Sequence, residues 1–140
     1  MSSTTSSDPL TLSSHTTPRW LRPLLRIDAV GSVVIGLGLV AVAGWLASPL
    51  GLASSLPILI VAGLFILNGP LNAVAARRLS RTRLLGPIAV DALFGLVMLV
   101  VAVADPAGAQ LWARWAVAVV GVLSLDLAAA KAWGRARLDV

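Results

Sequence analysis

Five polar side chains fall inside or at the edge of otherwise apolar runs: Asp28, Asn68, Asn72, Asp91 and Asp126. A charged residue at the centre of a membrane span costs about 2.5 to 3.5 kcal/mol on insertion scales, so each aspartate needs a partner, a proton or a wet cavity. Groups of this kind can carry a proton, hold a cation or join helices by hydrogen bonds. Asn72 lies five residues before Arg77, Asp126 five before Lys131, and Asp91 four after Pro87. At 1.5 Å per residue these three sit roughly 6 to 8 Å inside one boundary and form a polar layer. Asn68 lies a turn deeper, and Asp28, two residues after Arg26, lies nearer the interface.

Plainer roles compete with these. Asp28 stands beside a basic cluster, where an interfacial ion pair would account for it, and both Asp28 and Asp91 stand near expected helix starts, where the macrodipole favours a negative charge; asparagines in spans commonly bridge helices. Asp126 falls late in its run, where the dipole disfavours it.

Other chemistry is poorly provided for. The only histidine, His15, lies in a Ser/Thr-rich leader, and there is no cysteine and no glutamate. No metal-ligand spacing and no Ser-His-Asp arrangement follow, and the glycines at Gly36 and Gly38 lack the strand context of a phosphate loop. The expectation is a non-enzymatic protein with no metal and no cofactor.

The elements that position the five residues are legible in composition. Hydrophobic residues make up 58% of the chain, charged residues 12%, and the mean hydropathy is +0.92. Four apolar runs, 27–47, 56–76, 87–104 and 112–133, each match the roughly 20 residues that cross a hydrocarbon core. Because lipid offers the backbone no hydrogen bonds, such runs are helices, and the alternation of a barrel strand is absent. The predicted fold is an all-α membrane protein, an antiparallel bundle of four transmembrane helices over residues 19–138. Residues 1–18 read as a disordered cytoplasmic tail too polar to offset the entropy of ordering. The first run is too long for a signal peptide and lacks its cleavage site, so it reads as a retained helix.

Ten Arg and one Lys face six Asp, a net charge of +5. Nucleic acid is a poor explanation, since nearly all the charges flank apolar runs. Arg19, Arg22 and Arg26 precede the first run, Arg77, Arg78, Arg81 and Arg83 separate the second and third, and Lys131, Arg135 and Arg137 close the fourth. Arg114 alone falls on the other side. The positive-inside rule then predicts a plasma-membrane protein with both termini cytoplasmic, and the Arg19, Arg22, Arg26 group and the Arg77 to Arg83 turn are expected to anchor anionic headgroups. Trp20 and Trp133 mark the inner boundary; Trp45, Trp112 and Trp115 mark the outer one.

Small residues share helix faces with the polar ones: Asp28, Ser32, Gly36 and Gly44; Asn68, Asn72 and Ala76; Asp91 and Gly95; Ala118, Asp126 and Ala130. These faces are expected to point inward, because small residues permit close approach in lipid. Gly69-Pro70 removes a donor from the second helix and predicts a kink there. Two tandem two-helix hairpins are suggested by matching Asp28-Ala29 with Asp91-Ala92 and Leu67-Asn68 with Leu125-Asp126.

Leu25-Arg26-Ile27-Asp28-Ala29-Val30-Gly31, the turn Leu50-Gly51-Leu52 and the polar residue at position 91 together resemble a group of small four-helix integral membrane proteins of actinobacteria. The resemblance spans 24–138 and implies the fold without implying an activity; the group carries Asn where this chain has Asp91. Small four-helix multidrug exporters are similar in length and helix count but depend on a membrane-embedded Glu, which this chain lacks. The leading expectation is an interaction or assembly subunit, partnered by membrane lipids and by a second copy or another membrane protein. The alternatives are a proton-coupled or solute transporter module built on the Asp/Asn layer, and lipid or quinone binding between helices.

Overall fold

A computed structural model describes residues 18–138. The expectations for His15 and the first seventeen residues lie outside that range. Four helices fill it: α1 (Leu21–Ala47), α2 (Leu56–Arg77), α3 (Arg81–Ala104) and α4 (Leu111–Ala136). All four are long and apolar enough to cross a membrane, and among the described residues there is no strand. Most large apolar side chains on their outer faces are exposed, as lipid-facing residues should be.

Two of the helices begin six residues before their apolar runs do. The arginine stems are themselves apolar and continue a helix readily while the guanidinium reaches polar surroundings. Thus α1 starts before Arg22, and α3 starts at Arg81, where the Ser80 hydroxyl caps the turn by accepting from the Arg83 amide at 3.2 Å. Asp28 and Asp91 are therefore seven and ten residues into their helices, beyond the first-turn reach of the dipole. The helix-start explanation for these two residues is corrected accordingly.

The bundle is made of two tight hairpins, α1 with α2 and α3 with α4, joined along a looser seam between α2 and α3. Glycines set the tightness. A Cβ on Gly36 would fall 2.8 Å from the Ala62 carbonyl oxygen, one on Gly69 would fall 2.9 Å from that of Ala29, and Gly95 and Gly121 face each other's carbonyls. The helix α2 runs through Gly69-Pro70 unbroken, so that glycine serves as a contact point between helices.

Equivalent packing positions recur 59 residues apart: Leu25 with Leu84, Gly36 with Gly95, Ala43 with Ala102, Ala62 with Gly121, Asn72 with Lys131, and Ala75 with Gly134, every one of them buried. The hairpin repeat is thus a repeat of packing, at an offset different from the Asp28/Asp91 and Asn68/Asp126 matches. Ser32 and Asn72 in the first hairpin stand where Asp91 and Lys131 stand in the second. The sequence pairing of Asn68 with Asp126 does not survive: Asn68 is buried and Asp126 is on the outer face.

Each end of the bundle is closed differently. At the terminal end Leu21, Leu25, Ala75, Ala76, Leu84 and Leu138 form a dry plug, flanked by the stacked rings of Trp20 and Trp133 at 5.3 Å. Arg81 donates to the Leu138 carbonyl at 2.7 Å, and Arg135 donates to the Arg81 carbonyl at 2.9 Å. At the opposite end the two turns meet: the Gln110 amide donates to the Pro49 carbonyl, and Gly51, at φ +68, leaves no room for a Cβ beside Ala107. Arg114 there pairs with Asp105 at 3.3 Å and donates to the Ala102 carbonyl.

Candidate functional site: a buried ionic cluster

The single lysine of the chain, Lys131, is fully buried among all four helices. Its ammonium donates to Asp28 Oδ2 on α1 and to Asp91 Oδ2 on α3. Asn68 on α2 donates to Asp91 Oδ1 at 3.1 Å and to the Ser32 hydroxyl at 3.4 Å. Ser32 in turn donates to Asp28 Oδ1 at 3.3 Å. One residue or more from every helix therefore joins a continuous polar ring.

Side-chain direction explains how a lysine two residues from Trp133 reaches this layer. A helical side chain leans toward the helix N-terminus. In α4 that direction runs away from the terminal end, so the long stem of Lys131 carries its ammonium inward to meet carboxylates on α1 and α3, whose own side chains lean the opposite way. Small neighbours on α4, Gly121, Ser124, Ala128 and Gly134, all buried, give that face the room a lysine needs.

Of the five polar residues singled out in the sequence, Asp28, Asn68 and Asp91 come together directly. Asn72 is fully buried one turn from Asn68 but spends its amide on the Asn68 carbonyl at 3.0 Å and touches neither carboxylate. Asp126 is exposed on the outer face of α4, with Ala118 and Ala130 only partly buried, so the inward face of α4 is a different one from that expected. The true inward stripe is shifted, and it carries Lys131, which in the sequence stands with Arg135 and Arg137 among the cations that close the fourth run. Gly44 is likewise exposed, its place in α1 packing being taken by Ala43. Arg19, Arg22, Arg26, Arg77, Arg78, Arg81 and Arg83 are all exposed at the terminal end.

The electrostatics of the cluster are unbalanced. Two carboxylates meet one ammonium, and the side-chain oxygens of Asn68 and Asn72 are buried without a hydrogen-bond partner. Rotating the Asn68 amide by half a turn would place its oxygen against Asp91, a contact between two acceptors, so the orientation is fixed by its neighbours. The cluster is therefore rich in acceptors and short of positive charge. The plug of Leu21, Leu25, Leu84 and Leu138 closes it toward the terminal end. Toward the side it forms the floor of a groove of about 360 Å³, walled by Leu64, Phe65, Phe94, Val97 and Met98 from α2 and α3. Among the described residues no group of His, Cys, Asp and Glu has the arrangement of a metal site. No known protein family, no curated protein and no solved structure matches the chain.

Proposed function

We propose that this chain is a non-enzymatic, plasma-membrane protein of the four-helix group it resembles, acting as a small proton-coupled, solute-binding module. The observation that carries the reading is the charge imbalance of the Lys131, Asp28 and Asp91 cluster. A purely structural ionic network in low dielectric would be expected to be neutral and fully satisfied, because each unpaired charge costs several kcal/mol. A cluster one positive charge short binds a proton or a cationic solute in compensation. The apolar groove supplies a lateral path to it.

Both termini are assigned to the cytoplasm, on the strength of nine arginines at the terminal end against Arg114 at the other; the burial of Lys131 leaves that bias in place. The exposed arginines hold anionic headgroups there. A cysteine placed at Thr82 in the otherwise cysteine-free chain should resist an impermeant thiol reagent added to intact cells, whereas one at Ala107 should react; the reverse pattern would reject the orientation.

Proteoliposomes with an imposed pH gradient test the function. Across a panel of amines, organic acids and neutral solutes, at least one class should discharge the gradient faster than in protein-free vesicles. Asp91→Asn should bring the rate to the protein-free level, while Arg78→Gln should leave it unchanged. A wild-type rate equal to that of empty vesicles for every class would reject the reading.

The assembly-subunit reading is favoured by one separate observation, the exposed Asp126 on a face otherwise made of Val119, Val122, Leu123 and Trp133. A carboxyl group there gains from a partner helix that offers a donor. Native mass spectrometry of Asp126→Leu should show a smaller complex than wild type if this holds; an unchanged oligomer and unchanged co-purifying partners would remove its support.

A further inference from the structure

The hydrogen-bond inventory of the cluster says which chemistry suits a ligand in the groove beside it. Both N–H groups of Asn68 and the hydroxyl of Ser32 are already donated within the ring, and Lys131 divides itself between the two aspartates. The groove floor, made of Asp28, Ser32, Asn68 and Asp91, is therefore a surface of acceptors. Beneath that floor lies the Asn68 oxygen, without accessible surface and unpartnered, on a residue that is only 5% exposed. Leaving such an atom unsatisfied costs about 1 to 3 kcal/mol, which a donor in the groove would recover.

An anion would meet two carboxylates, and a quinone would bring carbonyl acceptors to acceptors, so neither suits the floor. A divalent cation would have to displace Lys131 from between the two aspartates. An ammonium group fits on two counts: it supplies positive charge to a cluster of two carboxylates and one lysine, and it donates more than one hydrogen bond. The walls require the remainder of the molecule to be apolar. Leu64, Phe65, Phe94, Val97 and Met98 offer nothing polar, and Phe65 and Phe94 meet edge to face with centroids 4.8 Å apart, presenting aromatic surface beside the floor. Aromatic faces also favour a nearby cation. The volume, about 360 Å³, lies at the lower end of the range of about 300 to 1,000 Å³ for small-molecule sites. Entry is lateral, since the leucine plug closes the terminal end.

We infer that the α2/α3 groove binds a small hydrophobic amine in its ammonium form, the head donating to Asn68 Oδ1 and to the Asp28 and Asp91 carboxylates and the apolar body lying between Phe65 and Met98. This inference rests on the solute-binding reading above and names its substrate class.

Equilibrium binding of 2-phenylethylamine to the full chain in nanodiscs, corrected with empty nanodiscs, tests it against 2-phenylethanol, a neutral analogue of similar shape. Saturable binding of the amine is expected, with the alcohol at least about tenfold weaker. Asn68→Leu should weaken amine binding about tenfold, as should Val97→Phe, which fills the groove without touching a charge and so separates lost binding from lost folding. Addition of the amine should also shift the single Lys131 15Nζ resonance. Equal binding of amine and alcohol, or amine binding indifferent to Val97→Phe, would overturn the inference. So would the absence of amine binding in a preparation whose pH gradient is discharged by another solute class, an outcome that leaves the broader reading standing. If neither binding nor discharge occurs with any class, both fall.

Discussion

Lys131→Met destabilises the fold by about 3 to 5 kcal/mol, because it strands two buried carboxylates against each other with no cation between them. The side chains of Asp28 and Asp91 are only 9% and 7% exposed, so water replaces the ammonium poorly. Methionine matches the length and flexibility of the lysine stem, which isolates the loss of charge from loss of packing. Combining Lys131→Met with Asp28→Asn and Asp91→Asn removes every charge at once and should recover most of the stability, as whole ionic groups replaced by neutral ones usually cost little. The unfolding midpoint in mild detergent reads both effects. An Arg78→Met control, exposed at the same end, should change stability by no more than about 0.5 kcal/mol. A Lys131→Met protein as stable as the control would show that the two aspartates are not charged partners of the lysine.

Gly95→Val is expected to produce the other large loss, for a steric reason. A Cβ at position 95 would lie 2.8 Å from the Gly121 carbonyl oxygen and 2.8 Å from Leu125 Cγ, and the reciprocal Cβ on Gly121 would lie 3.0 Å from the Gly95 carbonyl oxygen. Backbone cannot rotate aside as a side chain can, so α3 and α4 must separate. Overpacking of this kind costs about 1 to 3 kcal/mol and sometimes more. Gly38→Val is the matched comparison, because nothing lies within 4 Å of a Cβ there and the residue is exposed. The consequence reaches the cluster as well, since Gly95 is one turn from Asp91 and widening the hairpin draws Asp91 from Lys131. Loss of stability in Gly95→Val together with a retained midpoint in Gly38→Val is the expected pattern; equal midpoints would contradict the close-packed hairpin.

The fold was legible because its cause is written in composition. Four runs of about 20 apolar residues have no other stable form in lipid, and the turns at Ser48 to Ser55 and at Asp105 to Gly108 separate them plainly. Helix starts were less legible, since hydropathy stops at Arg26 and Pro87 whereas the backbone continues through arginines whose stems are apolar. Asp28, Asn68 and Asp91 were recognised as polar groups at similar depth, and the bundle brings them together. Lys131 escaped because hydropathy counts it among the flanking cations, with Arg135 and Arg137. The signal that identifies it is the stripe Gly121, Ser124, Ala128, Lys131 and Gly134, spaced three and four apart, in which Lys131 is the one residue that is not small. The same stripe excludes Asp126, whose apparent companions Ala118 and Ala130 lie on another face. In so alanine-rich a helix two small-residue stripes compete, and only the packing against α3 decides between them. The repeat shows the same limit: its 59-residue offset is carried by buried small positions, while the matching aspartates that drew attention lie out of register with it.

The arrangement also explains why the first hairpin and the second are not interchangeable. Where the second places Asp91 and Lys131, the first places Ser32 and Asn72, which are neutral, and it adds Asp28 from a neighbouring turn. Charge is thereby concentrated at the junction of the hairpins, where packing is looser than within either hairpin and the groove opens. On the proposed reading, a group that binds and releases a proton or a cation would sit at this seam, away from the close contacts of Gly36, Gly69, Gly95 and Gly121 that lie within each hairpin.

One solid-state NMR measurement bears most directly on the ionic cluster. With lysine labelled by 15N and aspartate carboxyl carbons by 13C, the full chain in lipid bilayers offers a single Nζ signal, because Lys131 has no counterpart elsewhere in the sequence. Dipolar recoupling should show this nitrogen close to two carboxyl carbons, one contact disappearing in Asp28→Asn and the other in Asp91→Asn. An Nζ signal with no carboxyl neighbour, or one that exchanges freely with bulk water, would contradict a lysine buried between two aspartates and with it the function built on that cluster.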